Sequence, residues 1–221
     1  AICGNRFGRG IMTIGGINYD ISSKLESEIK SILNRLSDDA DLAAEVLFSS
    51  ASVLERFEQT GVIEKETALE IGMVGPAARS SGISLDIRSD HPFDAYQYFT
   101  VHKLTLESGD VFARAYMRFI EIQHSIRIIL EQLANLQDGE LKCPANSLQP
   151  DGMVVSLAEG WRGEIAHVII TNSSGNIKRV KIKDPSFHNW FALALAVREE
   201  GISDFPLCNK SFNLSYCGTD L

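Results

Sequence analysis

One stretch limits what this chain can become more than any other. Between Asp110 and Leu136, apolar residues recur every three or four positions: Val111, Ala115, Phe119, Ile122, Ile126, Ile129, Leu133 and Leu136. That is the period of an α-helix with one apolar stripe, and at 3.6 residues per turn it amounts to about seven turns. Such a helix is stable only if other elements cover its stripe, so the chain must build a helical core around it. The covering elements are expected upstream. Asp20 is a good N-cap for a helix with the stripe Ile21, Leu25, Ile29, Ile32 and Leu36, and Ser37-Asp38-Asp39 reads as a second cap, opening a further helix through Leu42, Val46 and Leu47. A short helix over 64–72 should end at the breaker pair Gly75-Pro76. Residues 1–18 are glycine-rich without a helical period and read as an extended, turning segment.

After Pro144 the period changes. Met153 to Leu157, Glu164 to Thr171 and Ile177 to Lys183 are rich in β-branched residues, and Asn172-Ser173-Ser174-Gly175-Asn176 between the last two is a hairpin loop. Asp184-Pro185-Ser186 starts another helix through Trp190, Leu193 and Val197, and the tail from Gly201 reads as irregular. The fold class is α+β, mainly α. A helical core spans about 20–140, a small antiparallel β-meander about 152–184, and a C-terminal helix and tail 185–221, in one integrated domain.

Composition removes two classes of function. The 221 residues carry a net charge of −8, and no Lys/Arg cluster exceeds two adjacent residues, so no basic face for nucleic acid is present. The longest apolar run, Trp190 to Val197, is far short of the roughly twenty residues a membrane-crossing helix needs. The four cysteines (Cys3, Cys143, Cys208, Cys217) form no CxxC pair and lie at no metal-ligand spacing with a His. They read as reduced thiols, with Cys3, Cys143 and Cys208 as packing residues. The chain opens on Ala1-Ile2-Cys3-Gly4 without Met and is read as a fragment of a longer protein.

Four stretches, in order, carry a resemblance. Gly75-Pro76-Ala77-Ala78-Arg79-Ser80-Ser81-Gly82, then Asp86-Ile87-Arg88, His91-Pro92 and Tyr96, is similar to the GPMLRGSG segment of complex I's quinone-site subunit and the D-x-R, proline and tyrosine that follow it there. The long helix with Arg114, Tyr116, Arg118, Glu121 and Ser125-Ile126-Arg127 is similar to the next helix of that subunit. Glu159-Gly160-Trp161-Arg162-Gly163-Glu164, with His167 three residues on, resembles the E-A-P-R-G stretch of [NiFe] hydrogenase large subunits and the complex I form EAPKGE. Asn213 to Leu221 aligns with the hydrogenase C-terminal ligand motif D-P-C-x-x-C-T-D-R, with Ser215 and Gly218 at the two thiolate positions. The chain thus resembles the C-terminal half of the large subunit of group 4 [NiFe] hydrogenases and of complex I-type oxidoreductases, of the hydrogenase-4 and formate hydrogenlyase kind.

The resemblance implies a hydrogenase large-subunit-like helical bundle. It also implies a partner iron-sulfur small subunit, a membrane-bound redox complex and a peripheral place on the cytoplasmic face of the membrane. It implies no nickel or iron in this chain, because a hydroxyl is a poor soft-metal ligand and glycine offers no side chain. A quinone cavity would take the metal's place, with Arg162 and His167 as catalytic candidates and Arg79, Ser215 and Gly218 against the substrate. Blander roles stand beside these. Arg162 suits a salt bridge in a turn, His167 an ordinary strand position, Arg79 a cap on neighbouring carbonyls, and Arg114, Arg118 and Glu121 a solvated or inter-subunit helix face. Three functions follow: an oxidoreductase subunit with a metal-free quinone-type cavity, a [NiFe] hydrogenase subunit interconverting protons and H2, or a scaffold subunit with no surviving site.

Overall fold

A computed structural model describes residues 2–5 and 7–220, without the side chains of Thr219 and Asp220. The elements run β1 (Met12–Thr13), β2 (Gly16–Ile17), α1 (Ser23–Phe48), α2 (Ala51–Phe57), α3 (Lys65–Glu70), α4 (Gly75–Ser80), α5 (Ile87–Asp90), α6 (Val111–Ala134), β3 (Met153–Gly160), β4 (Gly163–Thr171), β5 (Ile177–Lys183), α7 (Pro185–Ala196) and α8 (Phe205–Phe212). The fold is mainly helical α+β, with a three-stranded antiparallel meander β3-β4-β5 after the helices.

The organising helix is α6. Its cap is Asp110, 2% exposed, whose Oδ1 accepts from the Ala113 N–H and the Ser108 hydroxyl while Oδ2 accepts from the Gln59 N–H. Both carboxylate oxygens are engaged, which lets the group sit in the core at a helix N-terminus. One side of α6 packs on α1 through Leu33, Ile126 and Leu133. Its first turn enters the main core, where Val111 meets Ile63, Met73, Ala77, Leu193, Cys208 and Phe212.

Four expectations need correction. The first helix is capped by Ser22, whose hydroxyl accepts from the Leu25 N–H, and not by Asp20. It also runs unbroken through Ser37-Asp38-Asp39. Ser37 donates its hydroxyl to Gln123 on α6, and the Gln123 amide donates to Asp41, so residues that could cap a new helix instead tie α1 to its neighbour. Gly75-Pro76 opens α4 where a breaker was expected: Pro76 lies in the first turn, where the missing N–H costs nothing. The tail is not irregular. Pro206 starts α8, Cys208 and Phe212 enter the core four residues apart, and Asn213 closes the helix at φ +52°. At eight residues, α8 is too short to show a clear period, and its stability comes from tertiary contacts.

The thiols divide as well: Cys208 is buried in the core, Cys143 is exposed and Cys3 lies between.

Candidate functional site

The site grows from two glycines. Gly75 (φ +68°) at the start of α4 lies directly against the β3–β4 turn, and an added β-carbon would collide with the Arg162 carbonyl oxygen and the Gly163 α-carbon. Gly163 (φ +129°) meets Gly75 in the same way from its own side. Backbone against backbone, the two hold the Glu159-to-Gly163 turn over α4, in conformations that favour glycine.

At the start of that turn, Glu159 joins a buried cluster of charge centred on Arg79 of α4. Arg79 is 2% exposed. Its Nε and Nη2 donate to Glu121 on α6 (2.8 and 2.5 Å), and its Nη1 donates to Glu159 on β3 (3.0 Å) and to the Leu85 carbonyl (2.7 Å). Asp86 stands 3.7 Å from the same guanidinium and is gripped by Arg88 through two N–H donors at 3.0 and 2.6 Å. Burial alone would lower the Arg79 pKa, but Glu121, Glu159 and Asp86 outweigh it and hold the group above its ordinary value. Burial likewise pushes Asp86 up, and the Arg88 bond and charge overcome this and keep its carboxyl low.

This cluster closes one end of a groove of about 370 Å3 between α1 and α6. Leu33, Leu36, Ile122, Ile126 and Ile129 form the apolar walls, and Arg88, Arg118, Glu121, Glu159 and Trp161 form the polar end. The volume and lining, mostly apolar with a few convergent polar groups, are those of a small-molecule site. Trp161 is largely exposed and has two guanidinium groups near its ring, Arg118 at 5.2 Å and Arg162 at 5.5 Å. Arg118 also donates to the Ser211 and Phe212 carbonyls at the end of α8. Burial pulls its pKa down, Glu121 opposes this, and the nearby Arg162 charge adds to the lowering.

Arg162 is half-buried and donates its Nε–H to the Asn213 carbonyl oxygen at 2.5 Å, joining the β3–β4 turn to the C-terminal loop. In that loop Ser215 and Gly218 are close neighbours, since the Ser215 hydroxyl accepts from the Gly218 N–H at 3.1 Å. The loop is pinned to the start of α7: the Ser215 N–H donates to Ser186, and Gly218 packs so tightly on the Asp184 carboxylate that a β-carbon would overlap it.

The expected residues therefore fall into different places. Arg162 joins the loop bearing Ser215 and Gly218. Arg79 lies behind the groove with its donors occupied and would have to release a carboxylate to touch a ligand. His167 is exposed in mid-β4, opposite Ser156 and Ile182, and its four-residue separation from Gly163 along the strand is about 13 Å. Arg114, Arg118 and Glu121 do not form a solvated face. Arg114 is 1% exposed, bonded to Gly61, Gly109 and Ser211 and stacked on Phe212, and burial lowers its pKa to about 10.

Sequence reasoning missed Glu159, Arg118 and Trp161 as site residues. Glu159 and Trp161 sit inside the motif that singled out Arg162. The spacing of Arg118 and Glu121, three apart beside the Ile122–Ile126 stripe, was a usable sign of a charged pair facing an apolar groove.

Three comparisons bear on this geometry. The family profile described as Respiratory-chain NADH dehydrogenase, 49 Kd subunit, matches residues 1–150 and 142–220. An NADH-quinone oxidoreductase subunit of Clostridium beijerinckii is 32% identical over 191 residues, 85% of this chain and 51% of its own length. The carbon monoxide-induced hydrogenase of Rhodospirillum rubrum is 30% identical over 214 residues, 96% of this chain and 59% of its own. Among solved structures, a chain of the membrane-bound sulfane sulfur reductase, an archaeal respiratory membrane complex, superposes with a TM-score of 0.85 at 25% identity, covering 94% of this chain and 58% of that one. The chain spans about half the length of the curated relatives it matches.

Proposed function

The chain belongs to the respiratory-chain NADH dehydrogenase 49 Kd subunit family, and from that premise we propose that it forms one wall of a quinone-type acceptor cavity in a membrane-associated oxidoreductase complex. An iron-sulfur subunit beside it supplies the electrons. The chain itself binds the acceptor and manages charge and protons, peripheral to the membrane; among the described residues no helix is long and apolar enough to cross one.

One observation carries the reading. An apolar groove walled by Leu33, Leu36, Ile122, Ile126 and Ile129 has Arg88, Arg118 and Trp161 in its lining, and the Arg162 guanidinium stands beside that Trp161 ring while its Nε–H holds the Asn213 carbonyl. A long, mostly apolar molecule with a carbonyl head matches that distribution: walls of Leu and Ile for the body, guanidinium N–H groups for the head. As the head takes up electrons its oxygens become more negative, and fixed cationic donors lower the energy of that change. Arg118 and Arg88 supply donors within the groove, Arg162 adds its charge from beside Trp161, Ser215 and Gly218 fix the loop that Arg162 holds, and Arg79 positions Glu121 and Glu159.

The donor set does not fit a nickel-iron centre. Ser215 uses its hydroxyl to receive the Gly218 N–H, Gly218 has no side chain and no room for one against Asp184, and Cys217 is a single exposed thiol. The similarity to a carbon monoxide-induced hydrogenase over 96% of this chain favours proton/H2 interconversion as the second reading. Elemental analysis of the purified complex, paired with assays of decylubiquinone reduction and H2 evolution, separates the two. The expected result is quinone reduction with only trace nickel; near-equimolar nickel with H2 evolution would reverse the choice.

A further inference from the structure

Helix α6 works on two sides. Ile122, Ile126 and Ile129 face the groove, and at about 100° per residue His124, Arg127, Ile128 and Glu131 fall on the reverse of the helix. There they line a separate cavity of about 240 Å3, completed by Tyr98, Thr100 and His102 of the segment that leads into α6. Every lining side chain except Ile128 carries a polar or charged group.

The donors in this cavity are unengaged. Among the described residues the Arg127 side chain makes no hydrogen bond and no ion pair, although Glu131 follows it at the i,i+4 spacing of a helical pair. The His102 and His124 rings lie 6.4 Å apart, tilted by 43°, and the neighbouring Lys103 is already paired with Asp90. Burial first, and then the charges of Arg127, His102 and Arg88, hold the His124 pKa below its ordinary value, with Glu121 opposing. The cations here repel one another and leave room for a counter-charge. Two histidines also suit a metal ion, but Arg127 disfavours a cation in the same space, and among the described residues no group of three His, Cys, Asp or Glu side chains could hold one.

We propose that this cavity binds a phosphate group, carried by a free phosphate ester or by the headgroup of an anionic lipid. The Arg127 guanidinium offers a planar fork to two phosphate oxygens. The His102 and His124 imidazoles and the Thr100 and Tyr98 hydroxyls add donors around them, and Glu131 is the one carboxylate in the lining. The charged and titratable groups facing the ligand are Arg127, His124 and Glu131 from α6 and His102 from the preceding segment, while Arg88 of α5 and Glu121 of α6 also act on His124. A bound anion raises both imidazole pKa values, so binding takes up protons and tightens as pH falls through the histidine range. The site is separate from the acceptor groove and does not depend on that reading.

The test is calorimetric titration of the complete complex in detergent with inorganic phosphate, sulfate and dioctanoyl phosphatidic acid. Phosphate should bind saturably, and at least about tenfold more weakly in Arg127→Gln, the size of a lost hydrogen bond to a charged group. Arg127 is exposed, so its replacement leaves the fold in place. Glu131→Gln removes the opposing carboxylate and should tighten binding. Arg127-dependent affinity that is higher for phosphatidic acid than for phosphate assigns a lipid headgroup, and equal affinity assigns a free ester. The pH dependence is read with sulfate, whose charge is constant in this range: its affinity should rise as pH falls, and a variant carrying His102→Gln and His124→Gln should lose the rise. No saturable binding, or binding that Arg127→Gln and Glu131→Gln leave unchanged, would overturn the proposal.

Discussion

Replacing Arg79 by methionine should destabilise the region around α4, α5 and β3 by about 3–5 kcal/mol, the usual cost of removing one partner from a buried ionic cluster. Arg79 is 2% exposed and its guanidinium bonds Glu121, Glu159 and the Leu85 carbonyl. Without it Glu121 and Glu159 lose their guanidinium donor and are left with the charges of Arg88 and Arg118, and the Leu85 carbonyl loses its donor. Hydrogen exchange in the assembled complex should show the loss of protection first in the amides of α4 and α5. The sign of the pH dependence follows from the same charges. Burial already holds the Glu159 carboxyl above its ordinary value against the opposing Arg79 charge, and removing Arg79 takes that opposition away, so the folded variant binds more protons than the unfolded chain and the loss shrinks as pH falls through the raised Glu159 range. A second substitution, Glu159→Gln, should recover part of the stability by removing one unpaired charge. Unchanged protection in Arg79→Met would mean that water reaches the cluster and it is not a buried one.

Removing the Arg162 side chain should have the larger effect on turnover. The Arg162→Ala complex is expected to assemble, because Gly75, Gly163 and the β3–β4 hydrogen bonds fix the turn through backbone. Its acceptor reduction should fall on the order of 10- to 1,000-fold if a donor to developing negative charge is lost. Lysine should rescue only weakly, since a mobile point charge cannot hold the Asn213 carbonyl and a second oxygen in a planar fork. His167→Ala, by contrast, changes an exposed strand residue and should leave turnover near normal. Full activity in a correctly assembled Arg162→Ala complex would leave Arg162 as a tie between turn and loop, with no part in the chemistry.

These expectations rest on features of unequal visibility in the sequence. The span of α6 and the strands of the meander were legible because each repeats a simple period over several turns or pairs. The unbroken α1 was not, since the local capping chemistry of Ser37-Asp38-Asp39 was overridden by a hydrogen bond to Gln123, a residue 86 positions away. Helix α8 was hidden for a related reason: two turns carry little periodic signal, and Arg114 and Arg118 hold it from another helix. Within the site, motif order led to Arg162 and to the loop it touches. It could not show that Arg79 is enclosed by Glu121 and Glu159, because the three lie on three separate elements and meet only in the folded chain.

The central claim, an acceptor cavity walled by this chain, is tested most directly by photoaffinity labelling of the complete complex with an azido-quinone. The account predicts covalent label on the peptides that carry Arg118 to Ile129 and Glu159 to Arg162, suppressed by excess decylubiquinone and weakened in Arg162→Ala. Label confined to other subunits, or label on these peptides that decylubiquinone does not displace, would contradict it.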